Sequence, residues 1–116
     1  MYIEIDTHDH LLDFELFEIR EKTTFSVGDQ KSLPGGFTMI FDGVTVRKAI
    51  GFPETITLVI TFAGTVVSSV AINLLSSWLY DKLKGRAETL RIDRREIHID
   101  KGEITRIIEE TIRQER

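Results

Sequence analysis

Three residues near the N-terminus have the types and the spacing of metal ligands. Asp6, His8 and His10 lie two positions apart, and on an extended strand alternate residues share one face. A carboxylate and two imidazoles on one face could bind Zn²⁺ or a similar ion, whereas on a helix His8 would not align with His10. The only other histidine is His98. We therefore favour a solvated, acidic strand end, expect no metal or other cofactor, and keep Asp6, His8 and His10 as the metal candidates.

No other group of residues predicts catalysis. The chain has no cysteine, which excludes disulfides, thiol chemistry and cysteine-ligated metals. The sequence contains neither a Gly-x-Ser-x-Gly nucleophile motif nor a phosphate-binding loop. Nothing in the order of residues brings two carboxylates together as a general acid and a general base. We expect a protein that is not an enzyme, and we infer no small-molecule substrate.

The charged residues predict solvated surfaces rather than a nucleic-acid site. The net charge is −4 and the pI is about 5.4, which argues against a broad surface for nucleic acid. Residues 1–54 contain 10 acids and 5 bases, so this part is either a solvated face or a docking face for a basic partner. Arg91, Arg94 and Arg95 form a small basic group, which we interpret as the charged tip of a turn. We expect no nucleic-acid partner.

The length and composition are those of one globular domain that spans residues 1–116. The chain is 41% hydrophobic and 29% charged, and both fractions are near globular averages. Residues 28–36 have the glycine and proline content of a loop. The N-terminus lacks the basic and apolar regions of a secretory signal, and together with the absence of cysteine this favours a cytoplasmic location.

An uncharged stretch of 26 residues, 55–80, permits two interpretations. It is long enough to cross a bilayer, since about 20 apolar residues suffice for a helix. Lys82, Lys84 and Arg86 would then place the C-terminus in the cytoplasm. On a helical wheel, however, most polar residues of the stretch gather within roughly 140°, and Asn73 would be costly in lipid. We favour a helix of a water-soluble domain, and a single-pass membrane protein is the alternative.

We predict one long hydrophobic helix over about 53–84. Pro53 suits a first helical turn, and Gly85 follows the expected last turn. The first third is rich in β-branched residues, so a strand followed by a helix that starts near Ala63 is the alternative. Small and apolar residues along this helix predict the surface on which a protein partner or a second copy docks. These interface candidates are Val59, Ile60, Gly64, Val67, Ser68, Ala71, Leu75 and Trp78.

The N-terminal half is predicted to contain short strands and one helix. Ile3 and Ile5 alternate as in a strand. Residues 10–21 fit either a helical stripe or a strand, and we favour the helix. The β-branched and aromatic residues at 23–27 predict another strand. An Asp-Gly pair at 42–43 between apolar runs predicts a β-hairpin.

The last third predicts a β-hairpin and an amphipathic helix. Residues 90–99 alternate as two strands around a turn at 94–95, with Ile92 opposite Ile97. Residues 101–115 have an apolar stripe at helical spacing. The predicted fold class is therefore α+β, with a small mixed sheet that includes this C-terminal hairpin. The long helix and the C-terminal helix are expected to pack on that sheet.

General features follow one another in a fixed order along most of the chain. They are an early strand, a Leu-rich helix, a Pro-Gly loop, a hydrophobic helix that ends in Trp-Leu and basic residues, a strand pair and a final helix. In this sequence they correspond to Ile3–Ile5, Leu11–Ile19, Pro34 with Gly35, Ala71 with Trp78, Leu79, Lys82 and Lys84, Leu90–Ile99, and Ile104–Ile112.

This order resembles the effector-associated constant component family of predicted microbial conflict systems. The sequence departs from the family pattern in the Asp-Gly pair at 42–43 and in the basic residues at 94–95. The resemblance implies a small non-catalytic accessory module that works beside effector proteins.

Overall fold

The computed structural model describes residues 1–17, 26–64 and 68–114. These parts of the chain form six strands, three α-helices and one turn of 3-10 helix at Pro34–Gly36. In chain order the elements are β1 (Tyr2–Thr7), α1 (Leu12–Phe17), β2 (Gln30–Ser32), β3 (Phe37–Arg47), β4 (Thr55–Gly64), α2 (Ser69–Leu83), β5 (Ala87–Ile92), β6 (Arg95–Ile97) and α3 (Lys101–Gln114).

The described strands form one sheet in the order β2-β3-β4-β1-β5-β6. Every pairing is antiparallel, so the predicted mixed sheet is wrong in this respect. Side chains alternate across each strand, and Ile3 and Ile5 of β1 join one core cluster with Leu75 of α2 and Ile104 of α3. The helices therefore cover one face of the sheet, and we refer to the other as the open face. The α+β class is confirmed.

Local signals define the ends of the two longer helices. Ser68 precedes α2, and its hydroxyl accepts a hydrogen bond from the Ala71 N–H at 3.1 Å. Asp100 acts in the same way before α3, where its carboxylate accepts from the Glu103 N–H at 3.0 Å. Such side chains satisfy backbone donors that have no partner within the first helical turn. These caps define the first residues of α2 and α3, whose apolar residues pack against the sheet.

The uncharged stretch does not form one long helix. Residues 55–64 are β4, which pairs with β3 on one side and β1 on the other, and α2 begins at Ser69. The predicted helix over 53–84 is therefore wrong in its first third, because β-branched residues suit a strand that is paired on both sides. The alternative of a strand followed by a helix is correct in kind, although the helix begins after Ala63. Within the described residues, no helix is long and apolar enough to cross a membrane.

The Asp-Gly pair at 42–43 does not form the predicted hairpin. β3 continues through these residues, and its register with β4 shifts between Phe41 and Gly43, as in a β-bulge. Gly43 adopts a φ of 141°. Beyond the bulge the strand keeps pairing with β4, so the chain reverses only in the segment 48–54. The result is a long β3–β4 hairpin.

The turn between β5 and β6 lies one residue earlier than predicted. Ile92 lies opposite Arg95, so the predicted pairing of Ile92 with Ile97 is wrong. Asp93 and Arg94 form a two-residue turn, and both have positive φ, 46° and 71°, as a type I′ turn requires. Asp93 also exchanges two hydrogen bonds of 2.8 Å with the first residue of β1. These bonds fix the turn at 93–94.

Two predictions in the N-terminal half fall partly outside the described residues. Of 10–21, residues 12–17 form α1, so the helix favoured there is correct, and residues 18–21 lie outside the description. Most of the strand predicted at 23–27 also lies outside it, and Val27 is in a turn before β2. The Pro-Gly loop at 28–36 contains β2 and the 3-10 turn.

Candidate functional site

The open face of the sheet carries a polar cluster centred on Asp6, which is only 7% exposed. Its carboxylate accepts two hydrogen bonds from the Arg91 guanidinium, at 2.7 and 3.1 Å. A third comes from the Thr57 hydroxyl at 2.6 Å. Arg47 lies 3.5 Å from the Asp6 carboxylate, and Glu4 lies 3.6 Å from Arg91. We refer to Asp6, Arg91, Thr57, Arg47 and Glu4 as the open-face cluster.

Strand register assembles this cluster from distant parts of the chain. Asp6 lies opposite Thr57 on β4, and Glu4 lies opposite Arg91 on β5. Asp6 and Arg91 are therefore diagonal neighbours on one face, although they are 85 positions apart. Their pairing could not be predicted from the sequence, because no local pattern contains both residues. The available signal was the polar side of β1, where Glu4 and Asp6 alternate with apolar residues.

The electrostatics of the cluster keep Asp6 ionised. Burial alone would raise the pKa of this carboxyl, but hydrogen bonds from Arg91 and Thr57 outweigh burial, with help from the charges of Arg91 and Arg47. The net result is a pKa for Asp6 below its ordinary value. The hydrogen bond with Asp6 in turn raises the pKa of Arg91. An ion pair held in this way joins β1 to β5 in the middle of the sheet.

Replacing Asp6 with asparagine is expected to lower the free energy of unfolding at pH 7 by about 2 kcal/mol. The neutral amide loses charge-assisted hydrogen bonds from Arg91. Because folding lowers the pKa of Asp6, its contribution is present above the ordinary value of 3.8 and is lost as pH falls through the folded value. Urea unfolding at a series of pH values should show the gap between parent and Asp6→Asn narrowing in acid.

Asp81→Asn is the matched control for this experiment. Asp81 is exposed on α2, and a surface change of this kind usually alters stability by less than about 0.5 kcal/mol. If the free energies of unfolding of Asp6→Asn and Asp81→Asn are equal at every pH, the open-face cluster does not stabilise the sheet.

The structure separates the three metal candidates. Asp6 belongs to the open-face cluster, whereas Nδ1 of His8 lies 3.0 Å from the Glu54 backbone oxygen and Nδ1 of His10 lies 3.7 Å from the Glu54 carboxylate. β1 ends at Thr7 with a register shift, so the extended alternation does not continue to the histidines. Across residues 1–17, 26–64 and 68–114, no three His, Asp or Glu side chains form a group that could hold a metal ion.

Three of the predicted interface residues lie in the core of the chain itself. Ile60, Ala71 and Leu75 are at most 4% exposed. Because β4 is a strand, its apolar residues and those of α2 face one another instead of forming one continuous helical surface. These three residues are therefore not available to a partner in the folded chain. The outward apolar residues of α2 are Val70 and Leu74, which are 68% and 48% exposed.

The other interface candidates do not form one surface either. Val59 lies on the open face and is half-buried, and Trp78 is half-buried against the core. Gly64 and Ser68 are exposed at the end of β4 and the start of α2. Val67 lies outside the described residues.

Four exposed apolar side chains lie on the outer part of the β3–β4 hairpin, and they include the two most exposed ones in the described part of the chain. Ile50 is fully exposed and Phe52 is 75% exposed. Val44 and Val46, on the adjoining part of β3, are about half exposed. We refer to Val44, Val46, Ile50 and Phe52 as the hairpin surface. This surface could not be predicted from the sequence, because the hairpin predicted at 42–43 places a turn inside the strand that continues to Arg47.

No family model, curated protein or solved structure matches the chain. The function must therefore be inferred from the open-face cluster and the hairpin surface.

Proposed function

We propose that this chain is a non-catalytic interaction module that docks through the hairpin surface. The observation that carries the proposal is the exposure of Ile50 and Phe52 together at the tip of one hairpin. Burial of apolar area against a partner is favourable by about 25 cal/mol per Å². Grouped exposed apolar residues are typical of interaction sites, whereas single ones are common on any surface.

The packing of the sheet shows why this surface is apolar. Val44 and Val46 lie opposite Leu58 and Ile56 of β4. The two β4 residues are buried, at 2% and 7% exposure, whereas the two β3 residues are about half exposed. The apolar side of the sheet thus continues beyond the area that the helices cover. A partner that packs there would extend the existing core.

Two further considerations support an accessory role rather than catalysis. The charged groups of the open-face cluster pair with one another, and hydrogen bonds from Arg91 and Thr57 hold the pKa of Asp6 below its ordinary value. The resemblance to the effector-associated constant component family implies the same kind of role. We infer from it that the partner is an effector protein, and that the module acts in the cytoplasm.

The double variant Ile50→Ser, Phe52→Ser tests the proposal. Both side chains are exposed, so the variant should keep the circular dichroism spectrum of the parent. We expect it to lose association by about tenfold or more, since apolar anchors dominate binding energy. Association is measured as the amount of protein from the host that co-purifies with the chain. The control is Val70→Ser, Leu74→Ser on α2, which should associate as the parent does.

The other outcomes of this experiment are equally informative. A parent that stays monomeric and captures nothing contradicts an interaction module. Loss of association in the α2 variant alone would move the docking surface to the helix. Recovery of the chain only from detergent extracts of membranes would favour the alternative, a membrane protein with its C-terminus in the cytoplasm.

A further inference from the structure

The outer half of β3 has an edge that no described residue pairs with. β2 pairs with β3 only at 38–40. Next to it, Gly28 donates its N–H to the Phe41 oxygen, and Phe41 donates its N–H to the Asp29 oxygen. Beyond Phe41, the hydrogen-bonding edge of residues 43–47 that faces away from β4 has no partner strand among the described residues. Open strand edges are templates for pairing with another strand.

Alternation shows which backbone groups this edge offers. Phe62 of β4 donates its N–H to β1, so alternate residues of β4 face β1 and those between them face β3. Thr57 is one of those that face β3, and its partner in the register is Thr45. Thr45 therefore bonds to β4. The N–H and C=O groups of its neighbours, Val44 and Val46, point away from β4.

We propose that a second copy of this chain pairs with this edge, antiparallel and about a twofold axis at Thr45. The two sheets then join into one. In this register Val44 exchanges backbone hydrogen bonds with the partner's Val46, and Thr45 lies opposite the partner's Thr45. The inference rests on the proposed function in that it uses Val44 and Val46 of the hairpin surface to join two copies, whereas the effector protein docks at Ile50 and Phe52. The pairing stops before Phe41, where Gly28 and Asp29 already occupy the edge.

Charge complementarity favours a second copy as the occupant. Arg47 lies on the open face near Asp6 and is 62% exposed, and Asp42 lies on the same face, where it accepts a hydrogen bond from Thr61. The twofold register sets Arg47 opposite the partner's Gly43, beside the partner's Asp42. Symmetry repeats this contact, so the interface has two pairs of opposite charge.

The apolar residues of the edge are also self-complementary. Val44 and Val46 project from the helix-covered side of β3, and both are about half exposed. In the twofold register each of them faces the other valine across the new strand pair. β-branched residues in such positions are favourable cross-strand partners. The same pairing covers backbone groups and apolar side chains together.

Thr45→Cys tests the register, because the chain contains no other cysteine. Thr45 is a non-hydrogen-bonded position in the proposed pair, where opposite Cα atoms are about 4.5 Å apart, within the range of a disulfide. We expect mild oxidation to convert most of the protein to a covalent dimer on non-reducing gels. Thr38→Cys is the control on the same strand and face, at a point that β2 covers, and it should stay monomeric.

Asp42→Lys tests the charge contact in the absence of a disulfide. It places two like charges together at each end of the interface, so the dissociation constant of the dimer should rise by about tenfold or more. Asp42→Lys combined with Arg47→Glu should restore dimerisation. Sedimentation velocity of the full chain measures both.

Three results would overturn the dimer. They are a parent that stays monomeric in sedimentation, equal cross-linking of the Thr45 and Thr38 variants, and dimerisation that Asp42→Lys leaves unchanged. A monomer that still captures another protein through Ile50 and Phe52 removes the dimer and leaves the interaction module standing. A monomer that captures nothing removes both.

Discussion

Truncating Leu75 to alanine should destabilise the chain by about 3 kcal/mol, whereas truncating Leu74 beside it should cost less than about 1 kcal/mol. Leu75 is fully buried between α2 and the sheet, and Leu74 is 48% exposed on the outer side of the same helix. Removing the Leu75 side chain leaves a cavity that the close-packed core only partly fills. The intrinsic helix propensities are the same in the two substitutions, so the difference reports packing alone.

Urea unfolding followed by circular dichroism measures both changes. The slope of free energy against urea should be the same for parent and variants, because the area exposed on unfolding barely changes. Equal losses for the two leucines would contradict the orientation of α2. If Leu75→Ala altered association and left the stability unchanged, Leu75 would be an interface residue, as the sequence had suggested.

The sequence predicts best where the local pattern and the tertiary environment agree. α3 has an apolar stripe that includes Ile104 and Ile108, both fully buried, and charged residues on its other side. Glu109 and Arg113, four residues apart, form an ion pair on that wet side. The apolar stripe and the ion pair indicate the same orientation of α3, so periodicity alone predicts which side of this helix faces the core.

In the uncharged stretch 55–80, local pattern and tertiary environment do not agree. Thr55, Ile56, Thr57 and Leu58 alternate as a strand does, but the absence of charge suggested a helix long enough for a membrane. β4 lies inside the sheet, with a partner strand on each side. On the open face this strand presents threonines, and the hydroxyl of Thr57 donates a hydrogen bond to Asp6. A charged side chain is therefore not required at that position. The open face of this central strand thus carries threonines instead of the charged residues that usually mark the polar side of a strand.

The candidate site was the least predictable part, because it depends on register. Asp6 can pair with Arg91 only if β1 and β5 are neighbours in the sheet. No feature of either strand's sequence predicts this neighbourhood. The hairpin surface depends on the bulge at Gly43. An Asp-Gly pair is equally compatible with a turn, and only continued pairing with β4 decides between them.

The close approach of the 3-10 turn to α2 depends on Gly35. A Cβ at this position would lie 2.8 Å from the Ala71 backbone oxygen and 3.0 Å from its Cα. Those atoms belong to the first turn of α2, so they cannot move aside as the end of a flexible side chain would. Gly36 has the same φ of 84°, but a Cβ there would meet nothing within 4 Å. A side chain at either position would have the same unfavourable φ, but only at position 35 would it also collide with α2.

Gly35→Ala should lower the free energy of unfolding by about 3 kcal/mol, and Gly36→Ala by about 1 kcal/mol. The smaller loss is the cost of a side chain at positive φ, and the difference is the cost of forcing the turn away from α2. Thermal and urea unfolding of both variants measure it, and hydrogen exchange at the start of α2 should increase only in Gly35→Ala. Equal losses at the two positions would show that α2 does not rest on this turn.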